Sequence, residues 1–191
     1  MNEINLYKKL KSRKLFLIGF MATGKTTIGK RLSSKLNLPF FDSDKEIELA
    51  LGCSINEYFR LNEEKKFRAI EEKVIIEKVK NNKENNFIMS LGGGAYLNND
   101  LRQMINYVGI SIWLNASIDI IYQRLKKSKN ERPLLVTFNT KEKLEKLLNE
   151  RTFYYKKADI KVNVINTSKD QMSNIILNQI EKYISIKDDK N

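Results

Sequence analysis

The chain has 191 residues, of which 41% are hydrophobic. This is enough for one well-buried core and too little for two ordinary domains, so we expect a single domain over residues 1–191. The sequence contains no histidine and one cysteine, Cys53. This composition excludes an internal disulfide, a Cys-His nucleophilic site and a Cys/His zinc site.

The formal net charge is +12, from 35 lysines and arginines against 23 acidic residues. These cations are scattered among helical patterns, without a long basic block or interleaved aromatic residues, so we expect no nucleic-acid partner. A positive field would instead help to gather small anions. No apolar run approaches the length of a membrane span, and the first residues lack the apolar segment of a secretory signal. We therefore expect a cytoplasmic protein, monomeric and without a membrane partner.

Short apolar runs alternate with longer helical patterns along the chain. The runs predict strands near residues 15–19, 39–41, 87–91, 110–114 and 160–164. The helical patterns predict helices near residues 25–36, 44–50, 54–80, 98–106, 117–127, 141–157 and 169–184. Alternation of this kind is typical of an α/β fold in which a parallel sheet has helices on both faces.

Two segments depart from this alternation. Residues 126–140 begin with polar residues, pass through Arg132-Pro-Leu-Leu and show neither helical nor strand periodicity. We interpret this segment as a mobile lid. The polar tail at residues 187–191 is expected to be frayed.

The first predicted strand leads into Gly19-Phe-Met-Ala-Thr-Gly-Lys-Thr26, which fits the phosphate-binding pattern G-x-x-x-x-G-K-[ST]. A polyphosphate needs several backbone N–H groups, a mobile cation and an oxygen ligand for magnesium. The loop can supply all of them, and it delivers the phosphates to the N-terminus of a helix. Lys25 would reach the β- and γ-phosphates and Thr26 would hold Mg²⁺. A plain glycine turn is the alternative, which the strand, the helix and the Lys-Thr pair together disfavour.

Two acids follow the second predicted strand, in Asp42-Ser-Asp44, where open α/β folds place their ligands. One carboxylate close to Thr26 could orient magnesium through water. The other could accept a hydrogen bond or a proton from an attacking hydroxyl. The alternative is that Asp42 or Asp44 simply caps the helix that begins near Lys45.

Further candidates are cations and glycines. Arg68 lies in a helical stretch and can pair with Glu71 or Glu72 at a spacing of three or four residues, although most such pairs are solvated. Gly92-Gly-Gly94 follows the third strand and permits close approach of backbone to a ligand, or is merely a flexible turn. Arg132 and Arg151 offer planar forks for carboxylate or phosphate, but each alone would more often be a surface charge.

Taken together, these motifs resemble the shikimate kinase family over nearly the whole chain. The residues that carry the resemblance are Gly19 to Thr26, Asp42-Ser-Asp44, Phe67-Arg68 with Glu71, Gly92 to Gly94, Arg132-Pro-Leu-Leu, and Arg151 followed by Tyr154 and Ala158-Asp159. The resemblance implies a P-loop kinase of the nucleoside-monophosphate-kinase type, a three-layer α/β/α fold with a five-stranded parallel sheet in the order 2-3-1-4-5. It also implies transfer of the ATP γ-phosphoryl group to the 3-hydroxyl of shikimate, towards chorismate and the aromatic amino acids.

The resemblance also implies a role for each candidate. On the nucleotide side it places Gly19, Ala22, Thr23, Gly24, Lys25, Thr26, Thr27, Arg124 and Arg132. On the acceptor side it places Asp44, Arg68, Glu71, Gly92, Gly93, Gly94 and Arg151. Asp42 would reach magnesium through water, while Thr26 binds it directly. Lys25, Asp44 and Arg132 would be catalytic, with Asp44 the candidate base and Arg132 contributed by the lid. Arg124 matches an adenine-contacting arginine more loosely.

Two departures from the family pattern stand out: Ala22 where a further glycine is usual, and Glu63 where the pattern reads Gly-Glu. Ala22 places a methyl group near the phosphates, and Glu63 puts the local turn in doubt. Residues 166–169 align poorly, so we make no adenine assignment there. Two rivals are a related kinase of small polyols such as gluconate, and a P-loop regulator or RNA-associated protein that has lost catalysis.

Overall fold

The computed structural model describes residues 6, 9–10, 13–82, 85–127 and 140–189. Within these ranges the strands are β1 (Lys14–Ile18), β2 (Phe40–Asp42), β3 (Ile88–Ser90), β4 (Gly109–Asn115) and β5 (Ile160–Asn163). They form one sheet in the order β2-β3-β1-β4-β5, and every neighbouring pair is parallel. The predicted fold class and strand order are confirmed.

The helices in the described ranges are α1 (Lys25–Leu36), α2 (Ser43–Leu51), α3 (Ile55–Leu61), α4 (Glu64–Asn81), α5 (Asn99–Val108), α6 (Ile118–Lys127), α7 (Lys141–Tyr155) and α8 (Lys169–Asp188). A short 3₁₀ turn, Ala95–Leu97, precedes α5. None of the described helices is both long enough and apolar enough to cross a membrane.

The central strand β1 is buried along its whole length, as expected for a parallel strand covered on both faces. Helices bury one apolar stripe against this sheet. In α8, for example, Met172, Ile176, Ile180 and Ile184 recur every four residues and are all at most 4% exposed. That spacing puts them on one face of the helix, so burial of the stripe rather than intrinsic propensity holds α8 in place.

The register of the sheet gathers three functional segments at one edge. Ser90 at the end of β3 lies opposite both Leu17 in β1 and Asp42 in β2. The carboxyl ends of these three strands are therefore level. The phosphate loop, the acidic Asp42-Ser-Asp44 and the triple glycine each follow one of them directly.

The helix predicted over residues 54–80 is in fact two helices, α3 and α4. Ser54 and Glu57 form a reciprocal capping box that starts α3. Asn62 and Glu63 then adopt extended backbone and separate the two helices. Because the φ angle of Glu63 is −74°, a conformation open to any residue, the absence of a glycine causes no strain at this turn.

The C-terminal helix is longer than predicted. It continues to Asp188 instead of ending near residue 184, so residues 187 and 188 of the expected frayed tail are helical. A carboxylate oxygen of Asp188 lies 3.5 Å from a guanidinium nitrogen of Arg13, which helps to hold this last turn. Of the segment interpreted as a lid, only residues 126–127, which end α6, and Thr140, which caps α7, are described.

A polar cluster fixes α8 to the sheet at the end away from the loops. Asp159 accepts hydrogen bonds from the backbone N–H (2.9 Å) and the hydroxyl (2.7 Å) of Ser111 in β4, and from the hydroxyl of Tyr183 in α8. Burial raises the pKa of the Tyr183 hydroxyl, and the bond to Asp159 raises this pKa further. Tyr183 therefore keeps its proton and donates at neutral pH.

We expect Asp159→Ala to lower the free energy of unfolding by about 3 kcal/mol, because it strands donors of Ser111 that have no access to solvent. Tyr183→Phe should cost about 1 kcal/mol, the net value of one hydrogen bond. Urea unfolding measures both. Asp119→Ala, which removes an exposed acid paired with Lys141, is the control. A loss for Asp159→Ala no greater than for this control would contradict the assignment.

Candidate active site

The phosphate loop is folded around its own lysine. The ammonium group of Lys25 donates to the carbonyl oxygens of Gly19 (3.0 Å) and Phe20 (2.9 Å), and the hydroxyl of Thr23 donates to Phe20 as well (2.9 Å). Gly24, with a φ angle of 99°, precedes α1 and offers no side chain to cap it. The first amides of α1 thus have no side-chain acceptor from the cap, which suits a phosphate group.

Ala22 adopts left-handed backbone, with a φ angle of 60°. A non-glycine residue in this conformation costs about 1–2 kcal/mol. The sequence predicted a methyl group near the phosphates, and the structure adds that the backbone bearing it is strained. Nη1 of Arg124, in α6, donates to the carbonyl oxygens of Ala22 (3.1 Å) and Thr23 (3.0 Å). The predicted nucleotide residue Arg124 therefore contacts the loop itself.

A cavity of about 450 Å³ extends from the loop in two directions. It is lined by residues 22–28 and Arg124, by Asp44 with Ser90 and Leu91, and by the segment after β5. That segment contributes Val164, Ile165, Thr167, Ser168 and Lys169. The last three lie in residues 166–169, for which the sequence allowed no assignment. The cavity is long enough to adjoin both the loop and Asp44.

Thr26 and Asp42 meet at the mouth of the loop. The Thr26 hydroxyl donates to Oδ2 of Asp42 over 2.6 Å, while Oδ1 of Asp42 accepts the backbone N–H of Asp44 (3.2 Å). Asp42 thus caps α2 and also faces Thr26, so the capping interpretation is confirmed and its role at magnesium stays a prediction. Asp44 is not the cap and lies in the first turn of α2.

The pair of Thr26 and Asp42 fits a magnesium ion that is shared with phosphates. Hydroxyl and carboxylate oxygens are the ligands that Mg²⁺ prefers, and one or two protein oxygens are enough when phosphates and water complete the shell. No group of three or more His, Cys, Asp or Glu side chains suited to a metal occurs in the described part of the chain. A fully protein-bound metal is therefore not what these residues offer.

The triple glycine lies against three sets of charged side chains. A Cβ atom on Gly92 would be 2.6 Å from Oδ1 of Asp44, and one on Gly94 would be 2.5 Å from Cζ of Arg68. A Cβ on Gly93 would be 3.1 Å from Nη1 of Arg151. Because real Cβ atoms essentially never approach within 3.0 Å, glycine at residues 92 and 94 makes room for Asp44 and Arg68, whereas a Cβ at residue 93 would need only a small shift of Arg151.

Arg68 is held by two acids. Its Nη1 donates to Oε2 of Glu71 and its Nη2 to Oε1 of Glu64, both over 2.7 Å. Of the two predicted partners, Glu71 is therefore the one used. Glu71 is 2% exposed, and burial raises its pKa, with Arg68 opposing that shift and Asp44 adding to it. Asp44 and Glu71 face one another across Gly92, and the positive charges of Arg68 and Arg151 offset the repulsion between the two carboxylates.

Arg151 is buried yet incompletely paired. The residue is 6% exposed, and its Nε has no hydrogen-bond partner among the described residues. The guanidinium carbon lies 5.5 Å from the centre of the Phe20 ring in the phosphate loop. A buried N–H donor without a partner is costly, so a carboxylate ligand at this position would relieve an existing penalty.

Two residues that position the site were missed by sequence reasoning. Ser43, fully buried, accepts the N–H of Gly92 (2.8 Å) through its hydroxyl. Tyr155, also fully buried, donates its hydroxyl to the Gly93 carbonyl (2.5 Å), and burial raises its pKa to about 12. Tyr155 could have been found from its spacing of four from Arg151, whereas the sequence comparison singled out Tyr154.

The site thus brings together the loop, Thr26 with Asp42, and the three side chains Asp44, Arg68 and Arg151. Thr27, the third residue of α1, also lines the cavity. Arg132 lies outside the described residues, so its predicted place over the phosphates stays a prediction.

Comparison with known proteins identifies the family of this chain. The family model for shikimate kinase matches residues 21–182. The chain belongs to the shikimate kinase family. The shikimate kinase of Bartonella quintana (strain Toulouse) is 41% identical over 179 residues, covering 94% of this chain and 83% of the relative. The solved structure of a shikimate kinase from Acinetobacter baumannii, in complex with shikimate, has a TM-score of 0.83 at 30% identity and covers 92% of this chain and 97% of the other.

A gluconokinase from Sinorhizobium meliloti also superimposes, with a TM-score of 0.65 and coverage of 95% of this chain and 98% of the other. At 12% identity this likeness shows the shared fold alone. It does not favour the rival interpretation as a gluconate kinase.

We expect Gly94→Ala to displace Arg68, because the new methyl group would overlap the guanidinium. The KM for the phosphoryl acceptor should rise at least tenfold while the Kd for nucleotide changes less than twofold. Steady-state kinetics and equilibrium nucleotide binding measure the two effects. Gly93→Ala is the matched control, since its neighbour Nη1 of Arg151 needs to yield by only a few tenths of an ångström. Equal effects of the two variants would contradict this account.

Proposed function

We propose that this protein transfers the γ-phosphoryl group of ATP to the 3-hydroxyl of shikimate, giving shikimate 3-phosphate and ADP, in the biosynthesis of chorismate and the aromatic amino acids. The observation that carries the proposal is a cavity lined by both the phosphate loop and Asp44. Asp44 in turn lies against the glycine turn that Arg68 and Arg151 also approach, which marks this end of the cavity as the acceptor pocket. A protein that only binds nucleotide would need no such acceptor pocket, which argues against the regulator or RNA-associated rival.

The donor half of the site handles charge. Phosphoryl transfer passes through a loose transition state whose negative charge is spread over the equatorial oxygens, so positioned cations matter most. Lys25 already lies inside the loop and exchanges its contacts with two loop carbonyls for phosphate oxygens. Mg²⁺, held by Thr26 and, through water, by Asp42, would neutralise part of the triphosphate charge. We also propose that Arg132 adds a further cation there.

The acceptor half fits a small hydroxylated carboxylate. Arg151 supplies a buried donor that has no hydrogen-bond partner among the described residues. Arg68, fixed by Glu64 and Glu71, supplies a second guanidinium beside the same glycine turn. The two forks can hold one carboxylate from two directions. With the carboxylate fixed, a ring hydroxyl can reach Asp44 at the border with the phosphate loop.

Asp44 lies next to the expected position of the reacting hydroxyl. It accepts a hydrogen bond from this hydroxyl and takes its proton as the new O–P bond forms. The bond between the γ-phosphorus and the bridging oxygen breaks at the same time, and ADP leaves with the electron pair. Orientation of the hydroxyl and removal of its proton are thus assigned to one carboxylate.

We further propose that the enzyme acts as a cytoplasmic monomer and as one domain. Both halves of the site are formed by described residues of a single chain, so no second copy is needed to complete it. The ATP that it uses is a cytoplasmic metabolite. Lysines and arginines in the described part are spread over many helices, which gives no support to a nucleic-acid partner.

The proposed activity is tested by coupled measurement of ADP release from ATP and Mg²⁺ with shikimate, quinate or gluconate as acceptor. We expect turnover with shikimate and at least a hundredfold lower kcat/KM with the other two. Absence of turnover that depends on shikimate would refute the proposal. Preference for gluconate would favour the polyol-kinase rival instead.

Asp44→Asn should lower kcat by about 10²–10⁴-fold, the usual contribution of a positioned general base, while the Kd for ATP stays within about twofold. The variant keeps the size of the side chain and removes only its charge and basicity. Glu46→Gln, on the same helix and paired with Lys78, is the control and should retain normal kcat. A near-normal rate for Asp44→Asn would contradict the assigned role.

Arg151→Met should raise the KM for shikimate by about a hundredfold, since a hydrogen-bonded charge pair is worth about 1.5–3 kcal/mol. The methyl ester of shikimate, which lacks the carboxylate charge, should bind the native enzyme comparably weakly. In the variant, shikimate and its ester should differ by less than about tenfold if the missing contact is the carboxylate. Arg60→Met, an exposed arginine in α3, is the control. An ester effect that is undiminished in Arg151→Met would exclude this contact.

A further inference from the structure

We propose that Arg124 is a positioning residue of the phosphate loop: its guanidinium holds the left-handed Ala22 and the following peptide in the shape that binds phosphates. This inference rests on the proposed use of ATP and deepens it. Sequence comparison had linked Arg124 only to the adenine base, which is a different role.

Both contacts come from one nitrogen atom. Nη1 of Arg124 donates to the carbonyl oxygens of Ala22 and Thr23, over 3.1 and 3.0 Å. In a trans peptide the C=O and N–H groups point in opposite directions. Holding these two carbonyls on Arg124 therefore turns the amides of Thr23 and Gly24 away from the arginine, and two successive peptide groups are oriented together.

The loop backbone held by Arg124 has an intrinsically unfavourable conformation at Ala22. Alanine disfavours the left-handed region that Ala22 occupies, whereas glycine enters it freely. Something outside the loop must over-determine such a conformation for it to persist. Arg124, in α6, donates a hydrogen bond to the Ala22 carbonyl from outside the loop and so supplies such a constraint.

Arg124 is itself well placed to act as a support. It lies in the last turn of α6, one residue before Leu125 and three after Ile121, and both of these apolar side chains are buried. Their burial fixes the helix against the core. The long side chain of Arg124 then spans from a rigid element to the loop, as a supporting residue should.

The decisive test distinguishes phosphate binding by the loop from binding of the adenine base. Inorganic tripolyphosphate with Mg²⁺ carries the phosphates of ATP and no base, so its Kd reports on the loop alone. In Arg124→Met we expect the Kd values for MgATP and for Mg-tripolyphosphate to rise by the same factor, about tenfold. Unchanged tripolyphosphate binding, with or without weaker ATP binding, would overturn the proposal. These are equilibrium measurements without an acceptor, so they are informative even if shikimate is not the substrate.

Arg124→Lys provides the conservative variant. Because one nitrogen makes both contacts, an ammonium group can reproduce them, whereas it cannot stack on a base as a planar guanidinium does. We expect Lys to recover most of the tripolyphosphate affinity lost in Met. Failure of Lys to recover any of that affinity would count against support through the carbonyls. Thermal unfolding and the Kd for shikimate check that each variant is folded.

A double-mutant cycle tests the link to Ala22. Since glycine adopts the left-handed conformation without penalty, Ala22→Gly should make the loop less dependent on its support. The tenfold loss caused by Arg124→Met should then shrink to less than about threefold in the Ala22→Gly background. An equal loss in both backgrounds would show that Arg124 does not act through Ala22.

Discussion

The approach of the Gly92–Gly94 backbone to charged side chains is the contact on which the acceptor half of the site depends. Asp44, Arg68 and Arg151 come from three different helices, and each occupies space that a Cβ atom on this turn would need. Because the three glycines lack Cβ atoms, the helices can place these charged side chains in one small volume. The sheet register contributes by bringing the ends of β1, β2 and β3 level, so that this turn faces the phosphate loop.

The two arginines at this turn differ in how completely they are paired. Arg68 shares its charge between Glu64 and Glu71, and so behaves as a fixed part of the wall. Arg151 has a buried N–H with no hydrogen-bond partner in the described ranges, so it gains more from an anion than the paired Arg68 does. Glu71, whose pKa is raised by burial, is stabilised as a carboxylate mainly by Arg68. Loss of Arg68 would thus cost more than one ligand contact, because it would leave that acid unpaired.

Local patterns in the sequence predicted the strands, most of the helices and the phosphate loop, because each of these depends on residues close together in the chain. The strand order came from family resemblance, since periodicity does not encode which strands are neighbours. The break between α3 and α4 was missed because neither Asn62 nor Glu63 is a strong helix breaker such as glycine or proline. Ser43 and Tyr155 were missed because their importance lies in contacts with glycines about fifty and sixty residues away. The target of Arg124, a hundred residues distant, is likewise a property of the folded chain.

Phe20 is a residue of the phosphate loop, yet its ring is buried under the guanidinium of Arg151, on the acceptor side. A contact of this kind belongs to both sites at once. If nucleotide binding to the loop shifts Phe20, the affinity of Arg151 for an anion changes by a coupling free energy. Thermodynamic reciprocity then requires an anion on Arg151 to change the affinity of the loop by the same amount. The two substrates would communicate through one aromatic ring, with no movement of a domain.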